Sequence, residues 1–256
     1  MKTAGVDIGS ITAKAAILED GVVLGARVGF TGYNAGAAGR NIFDELTREL
    51  GLEISSIDRI VSTGYGRNSV DFAHKSMTEI ICHGAGAHFL DPRVRTVVDV
   101  GGQDSKALIL DASGRVTDFV MNDKCAAGTG RFLEVMARAL EVNLDEFGEL
   151  SLLSENPAKI SSICTVFAES EVISLISRGE RRENIIAGIH DSVASRVYAM
   201  AQRLAVSTPI MMTGGVAKNV GVVRALEKRF GFSVEVSVHA QVNGAIGAAV
   251  LACSLL

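Results

Sequence analysis

The sequence has little proline, no excess of positive charge and no long apolar run. Proline accounts for 3 of 256 residues, against a usual share of ~5%, which excludes a proline-rich linker and a disordered tail. Lysine and arginine number 25 against 29 acidic residues, a net charge of −4, and this balance argues against general nucleic-acid binding. No stretch reaches the ~20 apolar residues of a membrane span. The hydrophobic share of 48% favours a well-buried α/β core.

The four cysteines are not expected to form structural disulfides. The first residues run directly into a predicted strand, so we expect no signal peptide and a cytoplasmic protein, in which disulfides are rare. Cys82 and Cys253 lie in apolar helical segments and are interpreted as small buried side chains. The other two, Cys125 and Cys164, have a different setting.

Glycine is abundant, at 27 of 256 residues, and it marks an internal repeat. Residues 6–18 (VDIGSITAKAAIL) and 98–110 (VDVGGQDSKALIL) share seven of thirteen positions at a constant offset of 92. Each segment is typical of a strand, a glycine turn and a returning strand. The repeat predicts two related lobes with a cleft between them, formed by residues 1–93 with a C-terminal helix 240–256, and by residues 94–239. Hydrophobic spacing further predicts helices at 40–51, 130–142, 166–178 and 184–205, and a buried strand at 209–213.

The two hairpin turns have the composition of a phosphate site. Asp7 ends a strand just before Gly9, whose small size lets backbone N–H groups approach an anion. Asp99 precedes Gly101–Gly102 in the same way, and two such carboxylates suit a hydrated Mg²⁺. The other side chains predicted to contact nucleotide or metal here are Ser10, Thr12 and Lys14 in the first hairpin and Asp104 in the second.

A third glycine turn, Gly214, Gly215 and Val216, follows a strand and opens a helix, which suits a nucleoside or α-phosphate. Any one of the three turns alone is equally well an ordinary hairpin. The order of the three turns along the chain resembles the order of the nucleotide-binding motifs in the acetate and sugar kinase, heat-shock chaperone and actin (ASKHA) superfamily. This resemblance implies a two-lobed, actin-like and ribonuclease H-like α/β ATPase fold, with duplicated βββαβα lobes and a nucleotide cleft between them. The chain has neither a P-loop nor a GxGxxG motif.

Cys125 and Cys164 each precede a predicted helix. A helix N-terminus stabilises a negative charge by ~0.3–1 kcal/mol at an exposed site, and it would stabilise an anionic iron–sulfur cluster as well. A 4Fe–4S cluster needs four thiolates, so a two-fold dimer of a chain with two such cysteines would complete one. On the residues alone, two small buried cysteines are an equal alternative.

A wider set of motifs narrows the function. The motifs are DIGS-x-TAK, STGYGR (62–67), DVGGQDSK, NDKCAAGTGRFLE (122–134), CTVFAESE (164–171) and TGGVAKN (213–219). Together they closely resemble the ATPase activators of 2-hydroxyacyl-CoA dehydratases and the ATP-binding subunits of benzoyl-CoA reductase. The resemblance implies that Cys125 and Cys164 carry one 4Fe–4S cluster per homodimer. It also adds Gly128, Thr129, Gly130 and Asn219 to the nucleotide-binding residues.

The resemblance implies ATP-driven transfer of single electrons by an oxygen-sensitive protein. A reduced ferredoxin or flavodoxin would reduce the cluster, and ATP with Mg²⁺ would bind at Asp7 and Asp99, with Gln103 near the attacking water. Closure of the lobes would change the cluster's potential. The electron would pass to an iron–sulfur dehydratase, a related benzoyl-CoA reductase or a double-cubane cluster protein.

Two alternatives share the fold. One is a small-molecule kinase, such as an N-acetylhexosamine kinase, and the other is a non-catalytic actin-like or chaperone-like module. Neither needs a cluster or its two cysteines.

Overall fold

The computed structural model describes residues 1–160 and 164–255. Residues 161–163, just before Cys164, and Leu256, at the end of the predicted C-terminal helix, lie outside the described residues. The strands are β1 (Lys2–Ile8), β2 (Thr12–Glu19), β3 (Val22–Phe30), β4 (Arg59–Thr63), β5 (Lys75–Ser76), β6 (Thr96–Val100), β7 (Ser105–Leu110), β8 (Val116–Asn122), β9 (Ile210–Thr213) and β10 (Val234–Val236). The helices are α1 (Ala35–Glu49), α2 (Glu79–Leu90), α3 (Gly130–Ala139), α4 (Leu144–Leu152), α5 (Thr165–Ser177), α6 (Arg182–Ala201), α7 (Val220–Phe230) and α8 (Asn243–Cys253).

The strands form two five-stranded sheets with the same order. The first sheet runs β3-β2-β1-β4-β5, and the second runs β8-β7-β6-β9-β10. In the first, β1 pairs antiparallel with β2 and parallel with β4; in the second, β9 and β10 pair in parallel. Each sheet thus combines three consecutive strands with two later ones. This common order confirms the duplicated α/β fold that the repeat predicts.

The first of two compact units comprises Met1–Val97, Leu108–Asp118 and Ser237–Leu256. Helix α1 packs Ile42, Phe43 and Leu46 on one face of the first sheet, and α8 packs on the other face. Strand β1 is covered on both faces and six of its seven residues are buried, Asp7 among them.

The second unit comprises Val98–Ala107 and Phe119–Val236. Helices α4, α6 and α7 pack against one another, and α3 packs against α5. The ends of α7 are marked in the sequence: Asn219 accepts the N–H of Val222 at the start, and Gly231 ends the helix with a left-handed φ of 73°.

The predicted elements are present, with shifted ends. Helix α1 begins five residues before the predicted start because Asn34 caps it, accepting the N–H of Ala37. Helix α3 ends at Ala139, before Glu141, which has a left-handed φ of 53°. Among the described residues, no helix combines the length and the apolar character needed to cross a membrane.

Glycines allow α8 to approach β1 and α2 at backbone distance. A Cβ atom on Gly5 of β1 would lie 1.9 Å from the carbonyl oxygen of Ala245. A Cβ atom on Gly247 of α8 would lie 1.7 Å from the carbonyl oxygen of Cys82 in α2. Because backbone atoms cannot rotate away, these positions admit only glycine. They fix the start of α8 beside the end of β1.

We predict that Gly5→Ala destabilises the protein by an amount at or above the upper end of the ~1–3 kcal/mol that overpacking costs, because the new methyl group would displace α8. The control is Gly29→Ala on β3, where the nearest atom to a Cβ is the flexible Cδ1 of Ile42 at 3.1 Å, and we expect a loss below about 1 kcal/mol. Urea unfolding of both variants measures the difference, and equal losses would contradict the close-packing account.

Candidate functional site

The first glycine turn lies between a carboxylate and an ammonium group. Asp7 and Lys14 are opposite each other in the β1–β2 ladder, and Lys14 Nζ lies 3.4 Å from Oδ2 of Asp7. The N–H of Gly9 donates to the carbonyl of Thr12 at 3.0 Å, which closes the turn. A Cβ atom on Gly9 would lie 3.1 Å from Lys14 Nζ, so Lys14 stands directly over the turn, while Ser10 is exposed at its tip.

Both carboxylate oxygens of Asp7 face glycines. A Cβ atom on Gly64 would lie 2.5 Å from Oδ1, and one on Gly244 would lie 3.0 Å from Oδ2. Gly64 also has a left-handed φ of 84°, a conformation that favours glycine. The carboxylate is therefore buried yet not crowded by side-chain carbons on these two sides.

The second turn contains a buried cluster of two carboxylates and one lysine. Lys106 Nζ lies 2.9 Å from Oδ2 of Asp99 and 2.6 Å from Oδ2 of Asp104, and the Lys106 side chain is 3% exposed. The hydroxyl of Thr213 donates to Oδ1 of Asp99 at 2.7 Å. One ammonium against two carboxylates leaves a net negative charge, which suits a hydrated divalent cation.

The two hairpins correspond beyond the residues that the sequence singled out. Lys106 occupies the position of Lys14 in the repeat. This position is the feature of the sequence from which Lys106 could have been identified as a site residue. Thr63–Gly64 at the end of β4 corresponds to Thr213–Gly214 at the end of β9. Gly214 has a φ of 88°, and a Cβ atom on it would lie 3.1 Å from Oδ1 of Asp99. This second correspondence does not share the offset of 92 residues, because helices α3 to α6 lengthen the later copy.

The third turn leads into α7 through a short 3-10 turn, Gly215–Lys218. Gly215 is exposed and Val216 is buried. Asn219 follows, and its side chain is engaged within the unit: Oδ1 accepts the N–H of Val222 at 3.1 Å, and Nδ2 lies 3.2 Å from Nε2 of His190. The structure thus gives Asn219 a capping contact, and its contact with nucleotide stays a prediction.

His190 lies inside the second unit against the ring of Phe147, with ring centroids 5.3 Å apart. It is 1% exposed, and burial lowers the pKa of its imidazole to about 3. A neutral imidazole accepts at Nε2 when Nδ1 carries the proton. Because Nδ2 of Asn219 only donates, His190 accepts from it and fixes the orientation of the α7 cap.

The start of α3, the helix that follows the Cys125 loop, is joined to the second glycine turn by backbone hydrogen bonds. The N–H of Gly130 donates to the carbonyl of Gly101, and the N–H of Arg131 donates to the carbonyl of Gly102, both at 2.8 Å. A Cβ atom on Gly130 would also lie 3.4 Å from Cγ2 of Val216. The predicted residues Gly101, Gly102, Gly130 and Val216 are therefore neighbours in the second unit.

Of the other predicted residues, Thr129 is the N-cap of α3, Gly128 has a φ of 91° beside Arg196, and Gln103 is exposed.

The four cysteines differ in exposure. Cys164 is exposed and is the N-cap residue of α5, as the sequence predicts. Cys125 is partly exposed but lies five residues before Gly130, the first residue of α3, so it is set back from the helix end. Cys253 is partly exposed as well, so the expectation of a buried side chain is wrong for this residue. Cys82 is buried, and burial raises the pKa of its thiol to about 12. Within residues 1–160 and 164–255, no group of three or more histidine, cysteine and acidic side chains is placed to hold a metal ion.

Comparison with known proteins identifies the family. Residues 4–252 match the BadF/BadG/BcrA/BcrD ATPase family, which is nearly the whole chain. The chain belongs to this ATPase family. The family membership confirms the resemblance found in the motifs.

Several similar proteins carry the names of dehydratase components or activators. The activator of lactoyl-CoA dehydratase from Anaerotignum propionicum is 50% identical over 253 residues, which cover 98% of this chain and 97% of the relative. Component A of the Acidaminococcus fermentans (R)-2-hydroxyglutaryl-CoA dehydratase has a structure with a TM-score of 0.97 and 45% identity, covering 100% of this chain and 98% of that chain. The activator of the 2-hydroxyisocaproyl-CoA dehydratase from Clostridium difficile, with bound ADPNP, has a TM-score of 0.95 and 44% identity, covering 100% of this chain and 95% of that chain.

For this ATPase, we predict that Lys106→Met lowers the free energy of unfolding by about 3–5 kcal/mol, because it leaves two buried carboxylates without their cation. The matched control is Lys14→Met, which we expect to cost less, since Lys14 is 14% exposed and its ion pair is longer. Chemical denaturation of the two variants checks this, and a larger loss in Lys14→Met would contradict it.

We predict that stability falls as the pH is lowered below about 6.5, partly through His190. The unfolded chain binds a proton at this side chain near pH 6.5, whereas the folded chain resists it down to about pH 3, so acid favours unfolding. The contribution lost between pH 6.5 and 4.5 is about 2 kcal/mol. Thermal unfolding across this range measures it, and His190→Gln should show a shallower dependence. The control Phe147→Leu should lower stability by a similar amount at every pH, and an unchanged slope in His190→Gln would overturn the assignment.

Proposed function

We propose that this protein is an ATPase that activates a 2-hydroxyacyl-CoA dehydratase by delivering single electrons from a 4Fe–4S cluster shared by two copies of the chain. The observation that carries this proposal is the match with dehydratase activators, which spans nearly the full length of both chains at 44–50% identity. The predicted cluster ligands support it as well, since Cys164 is exposed and Cys125 is partly exposed.

ATP or ADP would bind at the glycine turns. The ADPNP carried by the Clostridium difficile relative supports this, as does the pattern of buried carboxylate, lysine and open glycine turn found in each hairpin. Asp7 and Asp99 would hold a hydrated Mg²⁺, for which carboxylate oxygens are suitable ligands. The phosphate-contacting residues would be Gly9, Ser10, Thr12, Lys14, Gly101 and Gly102, and Asp104 would contribute to the metal site. The remaining nucleotide contacts would be Gly128, Thr129, Gly130, Gly214, Gly215, Val216 and Asn219.

Hydrolysis of ATP to ADP and phosphate requires positioning and charge stabilisation more than covalent chemistry by the protein. Lys14 and Lys106 supply positive charge beside the phosphate turns, and each is oriented by its aspartate. Gln103 is exposed on the second turn, where its amide suits the orientation of a water molecule. These residues would therefore place the phosphates, the metal and the attacking water.

The chemistry of the exposed cysteines suits a cluster. Thiolates are the usual ligands of 4Fe–4S clusters, and Cys125 and Cys164 are accessible while Cys82 is held protonated by burial. When bound, the cluster supplies a carrier for one electron. Cys164 lies at the positive end of α5, which stabilises negative charge there.

A second copy of this chain would complete the cluster. Helix α5, which begins after Cys164, exposes Val166, Phe167, Ile173 and Ile176, and Phe167 is 68% exposed. Contiguous exposed apolar side chains of this kind mark an interface. Since one chain offers two of the four thiolates, a two-fold homodimer both covers these side chains and supplies the missing ligands.

The acceptor would be an iron–sulfur 2-hydroxyacyl-CoA dehydratase, and the donor would be a reduced ferredoxin or flavodoxin in the cytoplasm. A cluster held by Cys125 and Cys164 would supply the one-electron carrier between donor and acceptor, and ATP hydrolysis would drive delivery to the acceptor. The kinase and the non-catalytic alternatives have less support, because three relatives at 45–50% identity are named as dehydratase activators.

Anaerobic purification tests the proposal. We predict a brown homodimer that contains about four irons, hydrolyses ATP and loses its colour in air. Cys125→Ala and Cys164→Ala should each abolish iron binding, because each removes two of four ligands from the dimer. The matched controls, Cys82→Ala and Cys253→Ala, should keep the iron.

Iron analysis, size-exclusion chromatography and the activation of a purified 2-hydroxyacyl-CoA dehydratase measure these outcomes. A double Cys125→Ala, Cys164→Ala variant that keeps its iron would refute the ligand assignment. A colourless anaerobic protein that phosphorylates an amino sugar would refute the proposed function as a whole.

A further inference from the structure

His83 is a buried residue of α2 that lies beside Asp7. A Cβ atom on Gly244 would lie 3.0 Å from Oδ2 of Asp7 and also 3.0 Å from Nε2 of His83. The two atoms therefore face the same small space above Gly244 and are separated by no more than twice that distance. A gap of this size is spanned by a direct hydrogen bond or by one water molecule.

The contacts of Asn243 determine which nitrogen of His83 carries the proton. Nδ2 of Asn243 lies 3.0 Å from the backbone carbonyl of His83, and a carbonyl can only accept, so this atom is the amide nitrogen. The same Nδ2 lies 3.4 Å from Nδ1 of His83, so Nδ1 accepts. In a neutral imidazole the proton is then on Nε2, the nitrogen that faces Asp7.

The two aspartates differ in the donors that surround them. Asp99 receives the hydroxyl of Thr213 at 2.7 Å and Lys106 at 2.9 Å. At Asp7 the lysine is more distant, at 3.4 Å, and within the described part of the chain the hydroxyl of Thr63, the counterpart of Thr213, is not hydrogen-bonded to Asp7. The first hairpin thus lacks the hydroxyl donor that orients the aspartate of the second.

We propose that His83 is a positioning residue for the phosphate site of the first hairpin: its Nε2–H, directed by Asn243, orients the carboxylate of Asp7 directly or through one water molecule. This inference rests on the proposed ATPase function. The glycine contacts of α8 with β1 and α2 hold the three side chains in this arrangement. Asp7, rather than His83, would hold the metal.

The experiment compares His83→Leu with His83→Gln in the purified homodimer. We expect His83→Leu to lower kcat for ATP hydrolysis by about 10–100-fold, the effect typical of lost partners behind a metal-binding carboxylate. KM for ATP and the calorimetric Kd for ADP should change by less than about threefold, because the turns that hold the nucleotide are intact. His83→Gln keeps an N–H donor and should recover at least part of kcat.

The matched control is His88→Leu, the same change on the same helix beside Gly114 and away from Asp7, which should keep the wild-type kcat. A kcat in His83→Leu equal to that of His88→Leu would overturn the inference, as would a His83→Gln variant no better than His83→Leu. If His83→Leu does not fold, His83→Met replaces it in the same comparison. A wild-type protein that neither binds ADP nor hydrolyses ATP would instead refute the proposed function.

Discussion

A buried carboxylate needs a cation or a donor beside it, and this requirement organises both hairpins. Asp99 is buried with Lys106 and Thr213, and Asp7 is buried with Lys14. Burying an unpaired charge costs several kcal/mol, so the antiparallel partner strand must place a lysine opposite Asp7. Glycine must then flank the carboxylate, since a Cβ atom at Gly64 would contact it. The turns that remain open for an anion follow from these constraints.

The sequence predicts much of this arrangement because the hairpin is local and is repeated. Asp7 and Asp99 stand at equivalent positions of the repeat. The turn that follows each of them is formed by residues within a few positions in the chain. Lys106 is part of the same repeat and is recognised once its burial is known. The correspondence between Thr63–Gly64 and Thr213–Gly214 does not follow the constant offset of the repeat. Four α-helices separate β8 from β9 in the second copy, whereas one separates β3 from β4 in the first.

His83, Asn243 and His190 could not be predicted, because their contacts join distant segments. Asn243 is 160 residues from His83 in the chain. The hydrophobic periodicity of a helix does not show that α2 and α8 approach each other at glycines. The ends of helices were also shifted, since the cap of α1 is an asparagine outside the apolar pattern. The predicted distinction among the cysteines depends on burial: Cys82 is enclosed in the first unit, whereas Cys164 begins an exposed helix.

The link between the second glycine turn and the start of α3, the helix that follows the Cys125 loop, has a further consequence. It consists of two main-chain hydrogen bonds, from Gly130 and Arg131 to Gly101 and Gly102, so no side chain takes part in it. Replacing the Arg131 side chain leaves its bond intact, whereas proline at a donor position removes that bond. Because Arg131 is exposed, substitutions at this position can change the charge of the surface while the main-chain connection is kept.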